Sequence, residues 1–139
     1  TAMRILLFGT FDRLHPGHRF FLAEALKRTQ RNAGHGKLSV VVARDANVRR
    51  IKGKAPMQSE NERAAAIQSA FPDAEILLGD PQNFLAPIRA INPNLILMGY
   101  DQKLPPGVRE EDLPCPIERL PAFEPTRWKS SLQREESEQ

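Results

Sequence analysis

The sequence predicts an α/β domain built on a parallel sheet of about five strands, with helices on both faces of the sheet. Short apolar segments alternate along the chain with segments whose apolar residues recur at helical spacing. The short segments are apolar at successive positions rather than at alternate ones, which is typical of strands buried on both faces. A chain of 139 residues is long enough to bury such a core in one domain.

The first half of the chain predicts two strands with a helix between them. Residues 3–8 form an apolar run that ends at Gly9, and residues 38–43 form a second run that is rich in valine. Between them we expect a helix to begin near Pro16, because proline suits the first helical position, where an N–H group has no helical partner. The polar and glycine-containing segment 32–36 ends this helix.

The second half of the chain repeats the alternation. After a basic loop, Ser59 and Glu62 form a capping-box pattern that starts a second helix. The remaining predicted elements are a strand over 74–78, a helix that starts at 80–81 and ends before 92, strands over 95–98 and 117–120, and a terminal helix that starts around 129–131. We expect the proline-rich segment 104–116 to form a long surface loop.

These elements indicate a single domain over residues 1–134, followed by an acidic tail over 135–139 that we expect to fray. No stretch approaches the roughly 20 consecutive apolar residues that cross a bilayer, and the start of the chain lacks the pattern of a signal peptide. The lone Cys115 excludes an internal disulfide. We therefore expect a cytoplasmic protein without a membrane partner.

The net charge of +3 is too small to indicate a nucleic-acid partner. The chain has one tryptophan and one tyrosine and no apparent basic helix, so we expect no nucleic-acid binding. A local basic cluster suits a small phosphate-bearing ligand, although a solvated basic loop would have the same composition. The cluster consists of Arg44, Arg49, Arg50, Lys52, Lys54 and Arg63.

Two predicted strands end in segments with unusual chemistry. Gly-Thr-Phe-Asp at 9–12 follows the first strand, and Gly-Tyr-Asp-Gln at 99–102 follows the fourth. In open parallel sheets, ligands bind at the carboxyl ends of the strands, where the strand order reverses. We therefore expect a nucleotide between these two segments.

The strongest local signal is the pair of histidines His15 and His18, three residues apart in the first turn of the predicted helix. At this spacing both side chains project to one side of the helix, where unpaired backbone N–H groups and the helix dipole already favour an anion. Gly9 would let a ligand approach the backbone, and Gly17 removes a side chain between the imidazoles. The arrangement favours phosphate binding.

His-x-x-His taken alone has two other interpretations. The pair could be structural, or it could be half of a metal site. Asp12 is the only nearby residue that could complete a metal site. The preceding buried strand, the glycine turn and Pro16 favour the catalytic interpretation.

The segments 9–12 and 15–18, Gly-Thr-Phe-Asp and His-Pro-Gly-His, resemble the signature of the cytidylyltransferase-like nucleotidyltransferase superfamily. The resemblance implies a Rossmann-like sheet, in agreement with the alternation above. Arg-Arg-Ile-Lys-Gly at 49–53 and Gly-Tyr-Asp-Gln at 99–102 most resemble the archaeal-type FAD synthases, which adenylylate FMN. Trp-Lys-Ser-Ser at 128–131 resembles a C-terminal superfamily element, with Trp and Lys where that element has Ile and Ser.

The resemblance implies catalytic roles for His15, His18 and Lys52, which would stabilise charge developing on the α-phosphate of a nucleoside triphosphate. It implies that Asp45 and Arg63 face the acceptor or its phosphate. The residues expected to bind the nucleotide are Gly9, Thr10, Phe11, His15, Pro16, Gly17, His18, Asp101, Lys129, Ser130 and Ser131. Mg²⁺ would arrive with the triphosphate and take its oxygens and water as ligands, so no protein metal ligand is expected.

The predicted function is therefore transfer of a nucleoside monophosphate to a substrate phosphate with release of pyrophosphate. FMN is the first choice of acceptor and ATP of donor, and a cytidylyltransferase acting on glycerol 3-phosphate or another polyol or sugar phosphate is the alternative. A non-catalytic nucleotide-binding domain is a third hypothesis. A homodimer is compatible with the resemblance, but the sequence shows no self-complementary patch.

Overall fold

The computed structural model describes residues 3–30, 36–100 and 102–121, which form a five-stranded sheet in which neighbouring strands are parallel. The strands are β1 (Arg4–Gly9), β2 (Lys37–Val42), β3 (Glu75–Leu78), β4 (Leu95–Met98) and β5 (Ile117–Arg119). The helices are α1 (Pro16–Thr29), α2 (Asp45–Lys52), α3 (Glu60–Ala70) and α4 (Leu85–Ile91). The predicted α/β class and strand number are confirmed.

The spatial order of the strands is β3-β2-β1-β4-β5. The chain moves outward from β1 to β2 and β3, and then crosses back to place β4 on the other side of β1. The order therefore reverses between β1 and β4. In a sheet of this kind the two halves of the chain diverge at that point and leave a crevice at the carboxyl ends of the strands.

Successive side chains of β1 point to opposite faces of the sheet, and both faces are covered. Leu7 is fully buried in a core cluster with Leu22 of α1 and with a residue of α3. Leu6 is fully buried on the opposite face, in a cluster with Ile88 of α4. This two-sided burial explains why the strand is apolar at successive positions.

Two predicted helix starts are found where the sequence places them. Helix α1 begins at Pro16, with His15 as its N-cap. Helix α3 begins after Ser59, whose hydroxyl accepts from the N–H of Glu62 at 3.1 Å while the Glu62 carboxylate accepts from the N–H of Ser59 at 2.9 Å. The capping box is therefore complete, and it satisfies two backbone groups that the first turn of a helix leaves without helical partners.

The predicted basic loop after β2 is wrong in part, because residues 45–52 form the short helix α2. Val48 is its one buried residue, so the segment shows no apolar periodicity. Asp45 in the first turn and three basic residues in the last turn complement the helix dipole. Gly53 ends the helix in the left-handed conformation, with a φ of 84°.

The helix predicted from residue 80 begins later, at Leu85. The Asp80 carboxylate accepts from the backbone N–H groups of Gln82 and Asn83 at 2.8 and 2.7 Å, and the Asn83 side chain accepts from the N–H of Leu85 at 3.0 Å. These side-chain contacts replace a first helical turn. The predicted surface loop contains a short 3₁₀ turn at Glu110–Asp112, and the predicted terminal helix lies outside the described residues.

None of the helices in the described part of the chain has the length and apolar character that a membrane span requires.

Candidate active site

A cleft of about 1300 Å³ opens at the carboxyl ends of the strands. Gly9 and Thr10 line it at the tip of β1, and Gly99 and Tyr100 line it at the tip of β4. These are the two strands between which the order reverses. The structure therefore brings together the two segments whose chemistry the sequence singles out.

The imidazole rings of His15 and His18 both line this cleft and stack on each other. Their centroids are 3.7 Å apart and their planes differ by 15°. The ring of Phe11 packs edge-on against His18, with the centroids 5.4 Å apart. The two histidines are thus held as one unit at the N-terminus of α1.

Backbone groups of α1 decide which nitrogen of each ring is protonated. Nδ1 of His15 accepts from the N–H groups of Gly17 and His18 at 3.1 and 3.4 Å, and Nδ1 of His18 accepts from the N–H of His15 at 3.3 Å. A neutral imidazole that accepts at Nδ1 carries its proton on Nε2. Both rings therefore carry their donor at Nε2, the property that a phosphate oxygen requires; Nε2 of His15 is shielded from solvent, so it can meet a phosphate oxygen only after a movement of the ring.

Two glycines make room for these rings. A Cβ atom at Gly17 would lie 3.0 Å from Cε1 and 3.3 Å from Nδ1 of His15. A residue larger than glycine would therefore push the imidazole ring out of its present position. A Cβ atom at Gly9 would lie 3.0 Å from the ring of Phe11, which is 4% exposed. The sequence predicts that Gly9 allows the approach of a ligand, and the structure adds the packing of Phe11 as a second reason for glycine there.

Lys52 reaches the tip of β1 from the last residue of α2. Its ammonium nitrogen lies 3.4 Å from the hydroxyl oxygen of Thr10. Its side chain is exposed and lines the cleft. The structure therefore places a flexible positive charge beside the histidine-bearing loop, although Lys52 lies 34 positions after His18 in the sequence.

Arg63 is fully buried, so the alternative that the whole basic cluster is solvated is wrong for this residue. Its guanidinium donates to the carbonyl of Gln58 at 3.1 Å, to the carbonyl of Thr10 at 2.8 Å and to the carboxylate of Asp45 at 2.6 Å. These bonds tie α2 and α3 to the tip of β1. Neither Arg63 nor Asp45 is among the described residues that line the cleft, and their contact with the acceptor stays a prediction.

The Asp45 carboxylate is held in its ionised form. Burial raises its pKa, but hydrogen bonds from Arg63 and from the N–H of Glu60, with the charges of Arg63 and Arg49, outweigh burial and bring the pKa below its usual value of 3.8. The Glu60 carboxylate in turn accepts from the N–H of Asp45 at 2.8 Å. The N-termini of α2 and α3 are therefore joined by reciprocal bonds.

Asp12, the candidate for a metal ligand, binds backbone groups instead. Its two carboxylate oxygens accept from the N–H groups of Met57 and Gln58 at 2.7 and 2.9 Å. Over the residues that the structure describes, no three His, Cys, Asp or Glu side chains are grouped so that they could hold a metal ion. Asp12 anchors the segment between α2 and α3 to the loop after β1.

Gln102 and Arg119 shape the cleft, although the sequence predicts no separate role for either. The Gln102 amide donates to the carbonyl of Phe8 at 2.8 Å and accepts from the N–H of Gly99 at 3.0 Å, which links the tips of β1 and β4. Arg119 donates to the carbonyls of Gly99 and Gln102 at 3.0 and 2.7 Å. The one sequence signal for these contacts is that Gln102 belongs to the segment 99–102, and no signal points to Arg119.

Four predicted nucleotide-binding residues lie outside the described residues: Asp101, Lys129, Ser130 and Ser131. Their roles stay predictions. Pro16 and the remaining residues of the 9–18 segment are in the described part, where Pro16 occupies the first position of α1.

The chain matches known proteins over most of its length. A family model described as cytidylyltransferase-like matches residues 6–117. The chain is 35% identical over 126 residues to the FAD synthase of Methanopyrus kandleri, covering 87% of this chain and 81% of that protein. It is 39% identical over 123 residues to the FAD synthase of Methanosarcina barkeri, and this match covers 85% of this chain and 83% of that protein.

A solved structure supports the same assignment. The lipopolysaccharide core biosynthesis protein from Thermoplasma volcanium matches with a TM-score of 0.75 and 30% sequence identity, over 89% of this chain and 100% of that one. The family match spans the histidine pair, helix α2 and the tip of β4. The chain therefore belongs to the cytidylyltransferase-like family and is a nucleotidyltransferase.

Proposed function

We propose that this protein is an FMN adenylyltransferase, which forms FAD from FMN and ATP and releases pyrophosphate. The observation that carries the substrate assignment is the identity of 35–39% with archaeal proteins named FAD synthase, over most of both chains. The crevice at the β1–β4 switch point, with two stacked histidines at its mouth, supplies the site that such a transfer needs.

The reaction needs little covalent chemistry from the protein. An oxygen of the FMN phosphate attacks the α-phosphorus of ATP, and the bond from that phosphorus to the oxygen bridging to the β-phosphate breaks as pyrophosphate leaves. The attacking phosphate is already an anion, so no base has to remove a proton from it. The protein must align two phosphates that repel each other and stabilise the charge that develops between them.

In this proposal His15, His18 and Lys52 stabilise that charge. The imidazoles donate through Nε2 to oxygens of the α-phosphate and to the bridging oxygen, because their Nδ1 atoms are occupied by backbone N–H groups. Lys52 adds a flexible point charge beside Thr10 at the tip of β1. The N-terminus of α1 adds its dipole.

The nucleotide is proposed to lie along the glycine-containing tip of β1, against the backbone of Thr10 and Phe11. The carbonyl of Thr10 accepts a hydrogen bond from the buried Arg63, so Arg63 and Asp45 act on the site at least by fixing this segment. Asp101 is proposed to contact the nucleotide, and Lys129, Ser130 and Ser131 to hold its β- and γ-phosphates.

The family implies a divalent metal, which we propose to be Mg²⁺. When bound with the triphosphate, it would neutralise phosphate charge and polarise the reacting group, with phosphate oxygens and water as its ligands. The donor set along the cleft fits this role better than a protein cage, since Asp80 is the one carboxylate among the described cleft-lining residues and its oxygen accepts backbone N–H bonds. A cytoplasmic setting and a homodimer complete the proposal.

Release of pyrophosphate from four substrate pairs tests the proposal. FMN or glycerol 3-phosphate is incubated with ATP or CTP, and FAD is identified by chromatography. We expect rapid release only with FMN and ATP, together with one FAD per pyrophosphate. Turnover of glycerol 3-phosphate with CTP would instead establish the cytidylyltransferase alternative, and folded protein that turns over no pair would support the non-catalytic hypothesis.

A His18→Ala variant tests the role of the histidine pair in the transfer step. We expect it to bind ATP with an affinity close to that of the wild type and to lose pyrophosphate release. Wild-type turnover in this variant would contradict the proposed role of the histidine pair.

A further inference from the structure

The cleft residues assigned so far act on the donor triphosphate, and Arg63, which is predicted to face the acceptor phosphate, is buried and does not line the cleft. His15, His18 and Lys52 gather around the tip of β1, where the donor triphosphate is proposed to lie. The acceptor phosphate carries between one and two negative charges at neutral pH. Bringing it to the α-phosphate requires a cation of its own, because two phosphates held together in a cleft repel each other strongly.

Arg50 is the only arginine among the described residues that line the cleft. Its guanidinium donates to the side-chain oxygen of Asn47 at 2.9 Å, and Asn47 donates to the carbonyl of Asp80 at 3.1 Å. This chain of bonds orients the guanidinium before any ligand arrives. It also places Arg50 on the side of the cleft formed by α2 and the segment after β3, away from the tip of β4.

The residue that follows Arg50 adds an apolar contact. Ile51 also lines the cleft, and it is 49% exposed, which is unusual for a large aliphatic side chain. Phe84 and Leu85, which are half-buried, also line the cleft. A planar aromatic ring system that contacts Ile51 would remove apolar surface from water, whereas a glycerol phosphate would leave that surface exposed.

We infer that the last turn of α2 is the acceptor-recognition element: Arg50 binds the acceptor phosphate and Ile51 packs against the flavin ring. The inference rests on the proposed function and names the residues that select its acceptor. Arginine suits the contact because its planar guanidinium can donate two parallel hydrogen bonds to one phosphate. Arg50 and Lys52, two residues apart, then hold the acceptor and donor phosphates from one turn of helix.

Binding of FMN and riboflavin, which differ only in the phosphate, separates the two contacts. Calorimetry with the full chain measures each dissociation constant without turnover. We expect Arg50→Ala to weaken FMN binding by about 10- to 100-fold, as loss of a hydrogen bond to a charged group does, and to leave riboflavin binding unchanged. We expect Ile51→Ser to weaken binding of both ligands by about 5- to 10-fold.

The chain offers a matched control for each variant. Arg49 is an exposed arginine on the same helix that does not line the cleft, and Met57 is a 76% exposed apolar residue that does not line it either. Arg49→Ala and Met57→Ser should bind FMN like the wild type. In steady-state kinetics Arg50→Ala should raise the KM for FMN. It should leave the KM for ATP within about twofold of the wild-type value, since other residues bind the donor phosphates.

Failure of this inference differs from failure of the proposed function. If the wild type forms FAD but Arg50→Ala binds FMN as well as Arg49→Ala does, the inference is overturned and the function stands. If the wild type uses glycerol 3-phosphate and CTP, the flavin contact of Ile51 is overturned with the proposed function. In that case an unchanged KM for glycerol 3-phosphate in Arg50→Ala would overturn the phosphate contact as well.

Discussion

At the scale of single residues, the site depends on side chains that have both a structural role and a role in the proposed chemistry. His15 caps helix α1 through Nδ1, which leaves Nε2 as its donor nitrogen. Arg63 fixes Thr10 of the cleft although it is itself buried away from solvent. In both residues, the backbone contact sets the orientation on which the proposed chemistry depends, so folding and function are coupled through the same atoms.

The two roles of His15 can be separated by substitution. His15→Asn keeps a side-chain oxygen that can cap α1, whereas His15→Ala removes the cap. We expect both variants to lose about 10²- to 10³-fold in kcat, because each lacks the imidazole donor. Only the alanine variant should lose about 1 kcal/mol in the free energy of unfolding, measured by urea denaturation. An asparagine variant with wild-type kcat would show that the ring takes no part in the transfer.

Asp45 gives the stability of the fold a specific dependence on pH. Its pKa in the folded protein lies below the usual value of 3.8, so its contribution is fully present above that value and is lost as pH falls through the lower, folded pKa. We therefore expect the urea midpoint to fall below about pH 4, and the Asp45→Asn variant to show a flatter profile there. Asp73→Asn, at an exposed aspartate, is the control and should keep the wild-type profile.

At the scale of elements, α2 connects the proposed donor and acceptor sites. Asp45 binds Arg63 and Glu60 at its N-terminus, and Lys52 reaches Thr10 from its C-terminus. The helix has one buried residue, Val48, so packing alone fixes it weakly. Its position therefore depends on these polar contacts and on how the helix ends.

Gly53 is the residue that ends α2. Its φ is 84°, and a Cβ atom added to it would have no other atom within 4 Å, so a larger residue would meet backbone strain but no steric clash. We expect Gly53→Ala to lower the free energy of unfolding by about 1–2 kcal/mol and to raise the KM for ATP, because Lys52 is displaced. Gly53→Asn should recover part of both losses, since asparagine tolerates this conformation. Equal stability of the alanine variant and the wild type would contradict this account.

At the scale of the whole molecule, the cleft exists because the chain reverses its strand order between β1 and β4. One half of the sheet carries the histidine loop and α2, and the other half carries the segment after β4. Gln102 joins the two halves where they diverge. The ladder between β1 and β4 pairs residues as far as Leu7 and Leu97, and beyond it this amide adds a link between the segments that line the proposed nucleotide site.

Replacing Gln102 should affect catalysis more than folding. In Gln102→Ala both bonds between the strand tips are lost, and we expect kcat/KM for ATP to fall about 10- to 100-fold, as small displacements of reacting groups do. Gln68→Ala removes a glutamine whose amide also donates to two backbone carbonyls, at a place that does not line the cleft. That control should change stability to a similar degree and leave kcat/KM unchanged; equal kinetic losses would indicate a general loss of structure.

Much of the fold could be predicted from the sequence because its elements carry local signals. The apolar runs of β1 and β4, Pro16 at the start of α1 and the Ser59–Glu62 capping box act within a few residues of one another. Helix α2 could not be predicted because one buried valine gives no periodicity. The late start of α4 could not be predicted because side-chain bonds from Asp80 and Asn83 compete with a helical turn.

The sequence by itself determined the fold class and the histidine pair, because strand burial and the spacing of residues in one helical turn are local properties of the chain. Only the tertiary structure decided that Arg63 is buried against Thr10, that Gln102 joins two strand tips, and that Arg50 rather than Arg49 lines the cleft. Such contacts join residues up to 94 positions apart. They depend on the order of strands in the sheet, which no local pattern of side chains specifies.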